Sequence, residues 1–168
     1  MEKHWEGSVH IDAPVDQVFP YLADFTRHPE WDQSTLKVEK LTEGDDTGVG
    51  AEWKIYEAFD LFGIGRRETK PKLGTGLVKR VVRDVVPNHK VEWHAQPIPR
   101  IGVTADYLFQ VEEEDGGTKV TQQVTFNVHG VLDAATRVLT KNLDKNIRQI
   151  WPQNLQQLES VVTQAKSA

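Results

Sequence analysis

The sequence predicts an α+β fold in which a curved antiparallel sheet of about seven strands wraps around one long C-terminal helix. Between Ser34 and Val128, apolar and polar residues alternate in short stretches separated by turn-forming clusters, a pattern typical of a β meander. After Gly130 the apolar residues recur at helical spacing over about thirty residues. A strand and a short helix precede the meander, and this order favours a helix that covers the concave face of a strongly bent sheet.

The N-terminal segment predicts one strand followed by one short helix. Val9, Ile11 and Ala13 alternate with polar residues, and the strand should end near Asp12 because Pro14 has no N–H to donate. From Pro14 the apolar residues fall at helical spacing, at Val15, Val18, Phe19 and Leu22. The stretch 24–32 contains a proline and no sustained period, so it predicts a helical turn or loop that projects Trp31.

The meander predicts five or six further strands. They are expected near Leu36–Leu41, Gly50–Glu57, Gly76–Val86, Lys90–Ala95, Val103–Glu112 and Lys119–Val128. Turns are expected at 43–46, 87–89 and 115–117, where aspartate, asparagine and glycine adopt the required backbone angles at little cost. Hairpin connections of this length predict antiparallel pairing.

The final helix is predicted from an apolar stripe at helical spacing. The stripe consists of Leu132, Ala135, Leu139, Leu143, Ile147, Trp151, Leu155, Leu158 and Val162. Pro152 lies within it and should kink the helix without ending it, since the stripe resumes at Leu155. Because the stripe is apolar, the helix is expected to form a wall, and any chemistry is expected from the sheet. No repeat or linker divides the chain, so residues 1–168 are expected to form a single domain.

Composition narrows the functional classes. The net charge of −5 and the charged fraction of 27% lack the basic excess that nucleic-acid binding requires. The chain has no cysteine, which excludes disulfides and thiolate chemistry. The first six residues are too polar for a signal peptide, and no apolar run approaches the length of a membrane span. We therefore expect a cytoplasmic protein with no stable membrane insertion.

One long segment and one short motif resemble a known family. The segment SVHIDAPVDQVFPYLADFTRHPEWD, the motif GTKVT before the last strand and the closing helix resemble the polyketide cyclase/dehydrase branch of the START-related (SRPBCC) superfamily. The resemblance implies the helix-grip fold and a START-like domain that encloses an apolar cavity. Its members include aromatase/cyclases and lipid and hormone binders, so it leaves open whether this chain is an enzyme. An arginine and a tyrosine act in the cavity of aromatase/cyclase relatives, but no residue here matches them by motif, and the catalytic residues stay unassigned.

Alternation predicts which side chains face the cavity. The candidate ligand-binding residues are Trp31, Trp53, Trp93, Tyr107, Phe109, Gln122, Phe126, His129, Leu139, Leu143 and Ile147. Gln122 lies in an otherwise apolar row, so it either contacts a ligand or hydrogen-bonds to Tyr107, because an unpaired buried amide is costly. In strand 76–86 the alternation is ambiguous, and either Arg80 or Arg83 could point inward.

Metal and cofactor sites are not predicted. The six histidines show no paired spacing such as His-x-x-x-His, and no glycine-rich loop follows a strand into a helix. His94 should point away from the cavity by alternation, whereas His129 should lie near its mouth. We therefore expect no metal and no cofactor.

The connection from Ala58 to Leu73 mixes apolar residues with glycines and then cations, which predicts a mobile lid over an apolar mouth shared with the 96–102 turn. The alternative is a hairpin tip that packs on its own core or on a second subunit, as in a homodimer. Three functions stay open: binding of a small hydrophobic molecule, a cyclase, dehydratase or aromatase acting on such a molecule, and an adaptor with a collapsed cavity. A volume inside the sheet below a few hundred cubic ångströms would favour the adaptor, as ligand pockets usually exceed about 300 Å³.

Overall fold

The computed structural model describes the backbone of residues 2–57, 77–98, 103–128 and 134–167, and the side chains of residues 2–56, 78–96, 103–128 and 148–165. The described elements are β1 (Glu2–Ile11), α1 (Val15–Ala23), a 3₁₀ turn (Phe25–Arg27), α2 (His28–Trp31), β2 (Thr35–Thr42), β3 (Glu52–Glu57), β4 (Leu77–Val86), β5 (Lys90–Ile98), β6 (Val103–Glu114), β7 (Gly117–Val128) and α3 (Ala134–Ser167). The predicted α+β helix-grip fold is confirmed, and most predicted strand ends lie within a few residues of the observed ones. The predicted lid, the 99–102 turn and His129 lie outside the described residues.

The strands form one antiparallel sheet in the order β1-β7-β6-β5-β4-β3-β2, so the first strand of the chain pairs with the last. The β6–β7 hairpin is continuous in register from Val103 opposite Val128 to Glu114 opposite Gly117. At its turn, Asp115 and Gly116 have φ values of 50° and 79°. Positive φ at both central residues suits the right-handed twist of the paired strands, which explains the aspartate and glycine at this predicted turn.

A bulge in β4 explains why its alternation was ambiguous. The pairing of β4 with β5 shifts register between Val82 and Asp84. Val78, Arg80 and Val82 are buried before the bulge, whereas Arg83 is exposed. An extra residue reverses the inward phase of a strand, so Val85 after the bulge packs on the same core. Arg80, and not Arg83, is therefore the arginine that faces inward.

Helix α3 packs against β1 and α2 and covers the concave face of the sheet. Within its described side chains, Leu155, Leu158 and Val162 are buried and Trp151 is half-buried, as the apolar stripe predicts. Pro152 lies inside the helix. Among the described residues, no helix is long and apolar enough to span a membrane.

Candidate functional site

The concave face of β5 and β6 carries a stack of aromatic rings. The Trp93 ring lies nearly parallel to those of Tyr107 and Phe109, at centroid distances of 5.5 and 5.2 Å. Trp93 pairs with Tyr107 across the strands, and Phe109 lies two residues further along the same face of β6. Cross-strand aromatic neighbours on one face of a sheet contact each other directly, so the stack follows from register. It forms a rigid apolar wall behind the site.

Arg80 places a buried cation on this wall. The residue is 3% exposed, and its guanidinium carbon lies 5.8 Å from the centroid of Trp93 and 5.7 Å from that of Tyr107. It is also 6.0 Å from the centroid of Phe25. Contacts at these distances are near the outer limit of cation–π attraction. Because arginine remains protonated in proteins, the site contains a fixed positive charge among aromatic rings.

His28 orients this arginine. Its Nε2 lies 3.0 Å from the carbonyl oxygen of Leu22, which can only accept, so Nε2 carries the proton. Its Nδ1 then accepts from Nη1 of Arg80 at 3.3 Å. Burial, reinforced by the Arg80 charge, lowers the pKa of His28 to about 4. The imidazole is therefore neutral at pH 7 and acts as a hydrogen-bond acceptor for the guanidinium.

Asp32 ties the α2–β2 junction to α3 and places a negative charge near Arg80. One of its oxygens accepts from Ser34 N at 3.1 Å, from Ser34 Oγ at 2.6 Å and from Asn154 Nδ2 at 2.8 Å. The other accepts from Thr35 Oγ1 at 2.7 Å and lies 3.9 Å from Arg80 Nη2. Arg80 is thus held by a loose ion pair on one side and by His28 on the other.

A small cavity, which we call the inner cavity, opens in front of these groups. Its volume is about 30 Å³, and its lining residues are Trp31, Asp32, Ser34, Arg80, Trp93, Tyr107, Phe109, Gln122, Ile150, Trp151 and Asn154. Among the described residues, Trp93 Nε1 and Gln122 Oε1 are buried and have no hydrogen-bond partner. A buried donor or acceptor without a partner costs about 1–3 kcal/mol, so both atoms are suited to a group that enters the cavity.

A larger opening, the β1–α3 cleft, adjoins the inner cavity. Its volume is about 560 Å³, within the usual range for ligand pockets. Its apolar lining comprises Trp5, Gly7, Val9, Trp151, Pro152 and Leu155, and its polar lining comprises Glu6, Ser8, Gln122, Arg148, Gln156 and Glu159. Gln122 and Trp151 line both spaces and therefore stand between them.

The structure brings five of the predicted ligand-binding residues together around the inner cavity: Trp31, Trp93, Tyr107, Phe109 and Gln122. Phe126 lies beside them and stacks on Trp151 at 6.5 Å. Trp53 stacks on Phe25 instead and lines a separate groove near the β2–β3 connection. His129 and the side chains of Leu139, Leu143 and Ile147 lie outside the described residues, so their contact with ligand stays a prediction.

Several residues of the site were not predicted, among them His28 beside Arg80 and Asn154 in the cavity lining. The sequence did not predict that His28 is buried at the site. It lies in a four-residue helix, which is too short for the spacing of apolar residues to indicate which side chains are buried. Asn154 lies three residues after Trp151 and one before Leu155, on the stripe that was read as wholly apolar, and it is 4% exposed. That expectation was wrong, because helical spacing places Asn154 on the inward face. No three described His, Asp or Glu side chains are arranged to hold a metal ion.

Comparison with solved structures places this architecture among known ones. The Zhui aromatase/cyclase from Streptomyces sp. R1128 is 17% identical with a TM-score of 0.73, covering 97% of this chain and 94% of that one. The di-domain ARO/CYC StfQ from the steffimycin biosynthetic pathway is 13% identical with a TM-score of 0.72, covering 100% of this chain and 53% of that one. Ara h 8.0201 is 15% identical with a TM-score of 0.67, covering 98% and 99%. At these identities the likeness is one of fold alone.

Comparison of the sequence with family profiles identifies the family of the chain. No curated protein sequence matches the chain. A family profile described as "Polyketide cyclase / dehydrase and lipid transport" matches residues 3–158, which is nearly the whole chain. Together with the helix-grip neighbours, this match confirms the resemblance that the N-terminal segment and the GTKVT motif predicted. The chain belongs to the polyketide cyclase/dehydrase and lipid transport family.

Proposed function

We propose that this protein binds a small hydrophobic molecule, aromatic, polyketide-like or lipid-like, between the sheet and α3. The observation that carries the proposal is the convergence of a few polar atoms on an otherwise aromatic pocket. Arg80, Trp93 Nε1 and Gln122 Oε1 surround the inner cavity, while the β1–α3 cleft beside it supplies the volume for a ligand. Apolar walls with few, placed polar groups are typical of small-molecule sites.

Two further observations bear on the choice between binding and an adaptor role. The inner cavity, at about 30 Å³, is by itself too small for a ligand and would favour the adaptor, whereas the adjoining β1–α3 cleft, at about 560 Å³, has the volume of a small-molecule site. The family profile that matches the chain is described by cyclase, dehydrase and lipid transport functions, all of which involve hydrophobic small molecules. We extend the proposed contact set to Phe126, His129, Leu139, Leu143 and Ile147.

Titration with the fluorescent neutral probe N-phenyl-1-naphthylamine tests the proposal. We expect saturable binding of one molecule per chain, with energy transfer from the buried tryptophans to the bound probe. Native mass spectrometry of the purified protein should in addition detect any co-purified hydrophobic molecule. A bare polypeptide mass together with the lack of saturable probe binding would refute the proposal.

A matched control distinguishes probe binding at the proposed site from probe binding to the protein surface. Leu41 is 51% exposed and is the most exposed large apolar side chain among the described residues. Replacing Leu41 with serine should leave probe binding unchanged. If this replacement abolished binding, the probe would be reporting on a surface patch.

A second candidate function is cyclisation or aromatisation of a poly-β-ketone, and one observation favours it specifically. Arg80 is buried beside Tyr107, so a fixed cation lies where a substrate oxygen would gain negative charge on enolisation. Stabilisation of a developing oxyanion by a preorganised donor is worth about 10²–10³ in rate. Arginine cannot act as the base, so it would serve only to stabilise charge.

Turnover of a linear poly-β-ketone analogue tests this second function. Replacing Arg80 with methionine should lower the rate of aromatic product formation at least about 100-fold. Binding of N-phenyl-1-naphthylamine should persist in the same variant, because the probe carries no oxygen for Arg80. Equal turnover in the wild-type and Arg80→Met proteins would exclude a catalytic role for Arg80, and binding alone would remain.

A further inference from the structure

The adjacency of the two spaces suggests how a ligand would lie in the site. Gln122 and Trp151 line both the inner cavity and the β1–α3 cleft, so the two spaces share a wall formed by these side chains. The cleft has aromatic walls: Trp5 meets Trp151 edge to face at 6.1 Å and Phe126 at 5.6 Å. The inner cavity, at about 30 Å³, has room for a group of the size of one water molecule.

Two polar atoms at this inner end have complementary hydrogen-bonding chemistry. Trp93 Nε1 can only donate a hydrogen bond, and Gln122 Oε1 can only accept one. Trp93 is 2% exposed and Gln122 is 6% exposed, and neither atom has a hydrogen-bond partner among the described residues. A hydroxyl group has the chemistry to pair with both atoms, because its oxygen accepts a hydrogen bond and its proton donates one. A ketone or an ether would leave Gln122 Oε1 without a donor.

We propose that the β1–α3 cleft holds the body of an aromatic ligand and that Trp93 Nε1 and Gln122 Oε1 recognise a hydroxyl group on it. The inference rests on the proposed binding function and specifies the ligand class as hydroxylated aromatic molecules. The hydroxyl group lies in the inner cavity and the ring lies against Trp151, with Gly7 opposite on β1. Because Gly7 has no side chain, it leaves space in the β1–α3 cleft for the ring of the ligand.

Calorimetric titration of the full chain with 2-naphthol, naphthalene and 1-tetralone tests the recognition of the hydroxyl group. Wild-type protein should bind 2-naphthol about tenfold more tightly than naphthalene or 1-tetralone, the effect of about one satisfied hydrogen-bond pair. Replacing Gln122 with leucine should weaken 2-naphthol binding about tenfold while naphthalene binds equally well or more tightly. Simple misfolding cannot produce these opposite effects, and Trp93→Phe, which keeps an aromatic ring, should also weaken 2-naphthol selectively.

A second pair of variants tests the placement in the cleft. A Cβ atom at Gly7 would lie 3.6 Å from Leu155 Cδ1, an ordinary contact, so Gly7→Ala should keep the fold and weaken the binding of both aromatic compounds only slightly. Gly7→Val, which suits a strand, should fill the cleft and weaken both compounds at least about tenfold.

The outcomes are distinguishable. If naphthalene and 2-naphthol both bind and Gln122→Leu leaves their affinity ratio unchanged, or if 1-tetralone binds as tightly as 2-naphthol, the recognition of the hydroxyl group is refuted while the proposed function stands. Unchanged binding in Gly7→Val would refute the placement in the cleft. If wild-type protein binds none of the three compounds and no hydrophobic probe, the proposed function fails, and this inference fails with it.

Discussion

Replacing Asp32 with alanine should lower the free energy of unfolding by about 3–5 kcal/mol, the usual cost of removing one partner from a buried charged network. The carboxylate accepts four hydrogen bonds, from Ser34, Thr35 and Asn154, and is 7% exposed. Its loss would leave buried donors on α3 and β2 without an acceptor and Arg80 without its nearby counter-charge. Urea unfolding, followed by tryptophan fluorescence, measures the change.

Two matched variants distinguish the loss of the Asp32 charge from the loss of its hydrogen bonds, and the buried network from a surface ion pair. Asp32→Asn keeps the shape and an acceptor oxygen but removes the charge, so it should cost about 1.5–3 kcal/mol, the range for a hydrogen bond to a charged group. Glu30 lies in the same segment and makes an exposed pair with Arg27 at 3.2 Å. Glu30→Ala should cost less than about 1 kcal/mol, as surface ion pairs do. If Asp32→Ala were as mild as Glu30→Ala, the network would have no special role in stability.

The fold could be predicted from the sequence because its determinants are local and periodic. The turn at Asp115 and Gly116 needs positive φ at both residues. Aspartate followed by glycine is a residue pair typical of such turns, so the turn could be predicted. The stripe through Leu155, Leu158 and Val162 fixes the face that α3 buries. The phase of β4 could not be predicted, because a bulge between Val82 and Asp84 is set by pairing with β5 and not by the strand's own sequence.

The candidate site was only partly predictable for the same reason. Trp93, Tyr107, Phe109 and Gln122 follow from alternation along β5, β6 and β7, and these residues do line the inner cavity. The orientation of Arg80 depends on the bulge, and its partner His28 comes from a four-residue helix with no useful period. Contacts between α2, β4 and α3 bring together residues far apart in the chain, and no local pattern encodes such contacts.

Lowering the pH from about 6.5 to about 4 should destabilise the fold through His28 by about 3 kcal/mol. Burial and the Arg80 charge lower the pKa of His28 in the folded protein to about 4, whereas an unfolded histidine has a pKa of about 6.5. Between these values the unfolded chain binds a proton that the folded protein does not. The contribution of neutral His28 to the free energy of unfolding is therefore complete above pH 6.5. It is lost as the pH falls towards 4, at about 1.4 kcal/mol per pH unit.

The variant His28→Gln isolates this effect from the other titrating groups. A glutamine amide can donate to the Leu22 carbonyl and accept from Arg80, replacing the two contacts of His28 without a titrating group. Urea unfolding at several pH values should give a steeper fall in stability for the wild type than for the variant between pH 6.5 and 4. Parallel curves would mean that His28 accepts a proton as readily in the folded protein as in the unfolded chain. In that case the neutral acceptor assigned to Nδ1 would be wrong.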